Sequence, residues 1–288
     1  MSVTATNPTQ AAGGDVELAS GKDKGDENFP VGSWLIRRDL RRHVHAYYAF
    51  ARNADDIADH PTLAPDDKIA RLDVMEAVLT GAADHGSTSA LRLRASLAET
   101  GVDPVHATEL LIAFRQDATK HRYATWAELM HYCRYSAAPV GRYVLALHGE
   151  NTASWPASDA LCASLQVLNH IQDCAKDFAE LDRSYLPDDW LTREGLTAAA
   201  VTDPATSPAL RRVFDAMLAA TADLNRAATP LPGHVRARGL RVETAIILAL
   251  ARRLHARLSR QDPLAMRVKL RPADAAAALL AGLTRTLG

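Results

Sequence analysis

Cysteine is scarce in this chain, with only Cys133, Cys162 and Cys174 among 288 residues. The number is odd and no two have metal-ligand spacing, so the thiols read as free and buried in a reducing cytoplasm. Long apolar runs are missing as well. No stretch approaches the roughly 20 apolar residues of a membrane-spanning helix, and the longest run, residues 245–251, meets Arg252 and Arg253 at once. The N-terminus has no apolar segment that would make a secretory signal. Charge of one sign is not in excess, with 33 Lys and Arg against 34 Asp and Glu. There is no basic tract with interleaved aromatics, so nucleic acid is not an expected partner. Neither Gly-x-Gly-x-x-Gly nor Gly-x-x-x-x-Gly-Lys-Ser/Thr occurs, which leaves no nucleotide-cradling loop. These absences describe a cytoplasmic protein that meets the inner membrane only peripherally, with no obligate protein partner expected.

What is present is helical. Residues 1–27 carry almost no large apolar side chains and read as a disordered leader. From residue 28 to 288 the apolar periodicity is that of helices, with no run of strand alternation, no Asn-Gly hairpin and no internal repeat. Prolines fall at the joints, among them Pro61, Pro65, Pro104, Pro156, Pro187 and Pro208. The pattern predicts helices near 39–59, 66–80, 89–99, 105–120, 125–147, 158–182, 208–228, 235–260 and 273–286. The fold class expected is all-α, in a single domain.

Two carboxylate clusters stand on the continuation of apolar stripes. In the first, Asp55 and Asp59 lie one helical turn apart, with Asp56 three residues from Asp59. Upstream on the same stripe are Val44 and Tyr48. In the second, Asn169, Asp173 and Asp177 follow at intervals of four, continuing Leu161 and Leu165. Most charge runs are simply solvated faces. Like charges at i,i+4, however, destabilise a helix by a few tenths of a kcal/mol, and desolvation beside an apolar stripe adds to that unless a cation compensates. Two such clusters point to a cation site. An all-oxygen donor set selects a hard ion, and magnesium usually takes one or two carboxylates together with substrate phosphates.

Three segments carry a family resemblance. They are Tyr-Tyr-Ala-Phe-Ala-Arg-Asn-Ala-Asp-Asp-Ile-Ala-Asp at 47–59, Tyr-Cys-Arg-Tyr-Ser-Ala-Ala-Pro-Val-Gly at 132–141, and Leu-Asn-His-Ile-Gln-Asp-Cys-Ala-Lys-Asp at 168–177. In this order they resemble the motifs of the squalene/phytoene synthases, a family of head-to-head prenyl-coupling enzymes, over about residues 28–270. The opening Glu-Asn-Phe-Pro-Val-Gly-Ser-Trp at 27–34 resembles that of the bacterial hydroxysqualene synthases of hopanoid pathways. His60 and Val268 depart from the expected acid and proline, and neither is a proposed ligand.

The resemblance implies an isoprenoid-synthase-like helical domain with a central cavity, and Mg²⁺ as cofactor. It also implies conversion of presqualene diphosphate and water to hydroxysqualene and diphosphate. On this reading Asp55, Asp59, Asp173 and Asp177 hold the metal, Asn169 adds a neutral ligand, and Asp56 supports them. Arg52 and Arg183 either contact phosphate oxygens or form surface ion pairs. Tyr132, Tyr48 and Phe29, with Trp34, either wall the cation or pack the core. Ala137, Ala138 and Gly141 leave room for a prenyl chain or for close helix packing. The alternatives are another coupling in the same family and a non-catalytic assembly homologue.

Overall fold

Proline and small capping residues set the helix boundaries. The computed structural model describes residues 15–17 and 35–287, apart from the side chains of 281 and 283–287. Phe29 and Trp34 lie outside the described residues. The longer helices are α1 (Arg41–Ala58), α2 (Pro65–Thr80), α3 (Thr88–Thr100), α4 (Val105–Asp117), α5 (Trp126–Ser136), α6 (Ala138–Leu147), α7 (Trp155–Gln172) and α8 (Cys174–Leu181). They continue as α9 (Asp188–Arg193), α10 (Pro208–Ala227), α11 (Leu231–His234), α12 (Arg238–Leu258) and α13 (Pro272–Leu287). Among the described residues there is no strand, only an isolated bridge between Tyr123 and Pro187. The Ser87 hydroxyl caps α3 by accepting from Ala90 N, Thr125 caps α5 by accepting from Glu128 N, and Ser207 caps α10, each satisfying an amide that a helix start leaves open. Gly81 and Gly101 close α2 and α3 with φ of 85° and 70°, where a side chain would be strained.

Two of the expected helices are broken. The 125–147 stretch divides at Ala137 (φ −124°, ψ −46°). The cause is Pro139 in the first turn of α6, which has no N–H to donate to the preceding turn and crowds it sterically. The 158–182 stretch divides at Asp173 (φ −106°, ψ 10°), without a proline. Here the chain bends while Asp173 N still reaches Asn169 O and Asp177 N reaches Asp173 O. Part of the expected leader is also held. Val16 N donates to Gly86 O, and the Glu17 carboxylate accepts from Ser87 Oγ and Ser89 N at the start of α3.

The described side chains form two apolar cores. One gathers α1 to α4 around Phe50, Ile57, Met75 and Leu93. The other joins α5, α7, α10 and α12 around Leu168, Phe214, Met217 and Leu254. A cavity of about 430 Å³ lies on the seam, with Val44, Tyr47 and Leu110 from the first core facing Leu161, Leu231 and Leu240 from the second.

Candidate active site

One end of the cavity is charged. Tyr48, Ala51, Arg52 and Asp55 line the cavity from α1, Ala137 lines it at the α5–α6 break, and Val140 and Gly141 line it from α6. Gly141 is required there, because a Cβ would stand 2.5 Å from Ser158 Oγ and 2.7 Å from Cys162 Sγ. The Arg52 guanidinium spans the first cluster, 3.3 Å from Asp55 and 3.3 Å from Asp56. Asp59, one turn on, takes a hydrogen bond of 3.0 Å from Arg183 Nη1.

Arg183 is neither on the surface nor open to solvent; it is 5% exposed. The turn that closes α8 aims it inward. Asp182 adopts a left-handed conformation (φ 49°), and Arg183 N reaches back to Asp177 O, a helix-ending pattern that places the next side chain against the body of the protein. Its Nη2 donates to the Asp117 carbonyl at 3.0 Å, and its Nη1 also contacts Tyr185 Oη at 3.2 Å and stands 3.9 Å from the Asp117 carboxylate. Asp117 in turn accepts from Tyr132 Oη at 2.8 Å. Burial raises the Asp117 carboxyl to about 7 against the pull of Arg183 and the Tyr132 hydroxyl. Tyr132 is not among the residues lining the cavity. Its ring packs with Tyr123 and Tyr185 at 5.3 and 5.5 Å. His170 stacks on Tyr185 at 3.5 Å, and burial lowers its imidazole to about 3, which keeps it neutral.

The second cluster stands at the break between α7 and α8. Burial raises the Asp177 carboxyl to about 7, with the charges of Asp173 and Asp59 adding to the rise. Asp59 and Asp177 therefore feel one another's charge, and Arg183 and Lys176 oppose the rise without cancelling it. Arg267, from the segment after α12, approaches Asp173 at 3.6 Å, and Gln172 anchors that segment by donating to the Val268 carbonyl at 2.5 Å. Among the described residues, no three His, Cys, Asp or Glu side chains are gathered tightly enough to hold a metal ion by themselves. Carboxylates spread around an under-neutralised space suit an ion that completes its shell with water and phosphate oxygens.

Asp177 feels the charges of Asp173 and Asp59; Asp55 lies one turn before Asp59 on α1, and Asn169 one turn before Asp173 on α7. Spacing alone does not reveal Asp117, Tyr185 or Arg267. Asp117 is a single acid at the end of an apolar helix, and nothing around it in sequence marks it as buried.

Residues 22–274 match the family model described as squalene/phytoene synthase. A hydroxysqualene synthase of Rhodopseudomonas palustris is 47% identical over 260 residues, covering 90% of this chain and 88% of that protein. A hydroxysqualene synthase of Zymomonas mobilis is 41% identical over 270 residues, covering 93% and 89%. The crystal structure of squalene synthase HpnC from Alicyclobacillus acidocaldarius superposes with a TM-score of 0.65 at 32% identity, covering 78% of this chain and 88% of that one. With the motifs in order, the all-helical fold around a cavity and these likenesses, the chain belongs to the squalene/phytoene synthase family.

Proposed function

We infer that this chain is a hydroxysqualene synthase, with residues 28–288 as its catalytic domain. It takes presqualene diphosphate and water to hydroxysqualene, diphosphate and a proton. The observation that carries the reading is the likeness to two hydroxysqualene synthases along about nine-tenths of the chain. An apolar cavity that is acidic at one end agrees with it.

Asp55, Asp59, Asp173 and Asp177, with Asn169, are the residues that would hold magnesium. Bound there, the ion supplies positive charge to the departing diphosphate. The chain's own groups do the rest. Arg183 holds Asp59 in place from the buried side, so its part is positioning rather than direct phosphate contact. Arg52, at the cavity rim, orients Asp55 and faces incoming phosphate oxygens. Tyr132 steadies Asp117 and through it Arg183. The apolar wall from Tyr48 to Gly141 accepts the prenyl chains and excludes bulk water from the cation.

The test is incubation of purified protein with presqualene diphosphate and Mg²⁺, without a nicotinamide, followed by mass spectrometry of the lipid extract. Hydroxysqualene is expected, and none when a chelator is present. Consumption of farnesyl diphosphate in place of presqualene diphosphate would move the chain to another coupling of the same family. Consumption of neither would leave it a non-catalytic homologue.

A further inference from the structure

Among the described residues, two carboxylates line the cavity, Asp55 and Glu243. Asp55 belongs to the charged end and stands 3.3 Å from Arg52. Glu243 stands elsewhere. It is 5% exposed and belongs to the cavity-facing stripe of α12, with Leu240, Thr244 and Ile247. The spacing i, i+3, i+4, i+7 is that of one helix face. A position on such a face is ordinarily apolar, because burying a carboxylate costs free energy that a leucine avoids.

The fold fixes where along the cavity this acid falls. Val44 and Asp55 both line it from α1, and eleven residues at 1.5 Å each separate them by about 16 Å. Gly239 packs so closely on the Leu35 carbonyl that a Cβ there would overlap it. That contact sets the start of α12 beside the segment leading into α1, where Ile36 and Leu240 line the cavity. Glu243 follows Gly239 by four residues, about 6 Å of helix. It therefore lines the cavity nearer the start of α12 than Ile247 does, away from the Asp55 end and within reach of a prenyl chain in the cavity.

We propose that Glu243 is the base that captures water for the carbocation, an assignment that rests on the hydroxysqualene synthase reading. The C–O bond to diphosphate breaks, and the leaving group takes the electron pair. After rearrangement of the cation, a lone pair of water forms the new C–O bond. The water O–H breaks, its electrons stay on oxygen, and its proton passes to the Glu243 carboxylate and then to solvent. No oxidant or reductant is involved. The carboxylate also sets a negative charge beside the cation, away from the departing diphosphate, so capture is favoured over return of the leaving group. Thr244 is a poor substitute, because its hydroxyl is turned to the Arg241 carbonyl at 3.0 Å and a hydroxyl is far too weak a base.

The experiment compares wild type with Glu243→Gln and Glu243→Asp on presqualene diphosphate and Mg²⁺. It reads hydroxysqualene formed per diphosphate released. In Glu243→Gln the ratio is expected to fall on the order of a hundredfold, the scale of a lost general base, with hydrocarbons or isomeric alcohols in its place. Glu243→Asp keeps the charge one methylene farther away and is expected to give an intermediate ratio; it also carries the test if the amide variant does not fold. A ratio that stays at the wild-type value in the folded variants, even if turnover falls, overturns the proposal. A wild-type enzyme that makes no hydroxysqualene at all would instead refute the function proposed above.

Discussion

The two acid clusters look alike in sequence and differ in what neutralises them. The first lies at the end of α1, with Asp59 as its C-cap, and is supplied with cations: Arg52 spans Asp55 and Asp56, and the buried Arg183 binds Asp59. The second lies on a helix break, where Arg267 stands 3.6 Å from Asp173 and burial lifts the Asp177 carboxyl to about 7. The first cluster is a prearranged scaffold; the second is where charge is still to be supplied. A metal ion bound with substrate would satisfy the second more than the first.

The largest effect expected from this difference is on turnover. Asp173→Ala and Asp177→Ala should each lower the rate of diphosphate release by about a thousandfold or more, roughly 4 kcal/mol of barrier, the scale of lost metal stabilisation. Asp56→Ala, which removes a carboxylate held by Arg52 and assigned no metal, should cost no more than about tenfold. Steady-state assays with Mg²⁺ titration would check this. Equal losses at Asp56 and Asp177 would erase the distinction between scaffold and deficit.

A second effect separates the two arginines of the first cluster. Arg183→Gln leaves Asp59 and the buried Asp117 without their shared guanidinium. Breaking a buried pair from one side costs about 3–5 kcal/mol, a fall in melting temperature on the order of 10 °C for a chain of this size. Arg52 is about a quarter exposed in its side chain, and partly exposed ion pairs contribute little. Arg52→Gln should therefore shift the melting temperature by only a few degrees while still weakening substrate binding. Thermal melts of both variants, at equal salt, decide the point.

Much of this was legible in the chain. Helical spacing brings Asp55 to Asp59 and sets Asn169 one turn before Asp173, because i,i+4 positions share a face; Asp177 lies beyond the bend, on α8. Apolar periodicity and proline placement gave most helix boundaries. The bend at Asp173 was not legible: no proline or glycine marks it, and the bonds Asp173 itself makes, to Asn169 O and from Asp177 N, are those of an ordinary helix. Pro139, by contrast, is a visible breaker that the 125–147 expectation runs through, and the break at Ala137 follows from its missing N–H. The burial of Arg183 depends on Asp182 taking a left-handed turn and on Asp117 arriving from a helix some sixty residues earlier. Such long-range pairing has no local signature, so surface pairing and phosphate contact were the roles its sequence neighbourhood offered.

The smallest effect is also the most direct probe of the deficit. Asp177 has a carboxyl raised in the folded state to about 7 from an ordinary 3.8, so the native protein binds its proton more tightly than the unfolded chain does. The stability this contributes is fully present below about pH 4 and is lost as pH rises through about 7. Asp117 has the same sign and range, so Asp177→Asn should flatten the fall between pH 4 and 7 without abolishing it. At pH 8 the variant should melt on the order of 2–4 °C above wild type. Asp55→Asn should gain nothing, because its carboxylate already has Arg52 beside it. Mg²⁺ with inorganic diphosphate should raise the wild-type melting temperature at pH 8 and leave the Asp177→Asn variant nearly unmoved. If the amide variant is no more stable than wild type at pH 8, then cations of the protein itself already neutralise Asp177, and the contrast between the clusters fails at its source.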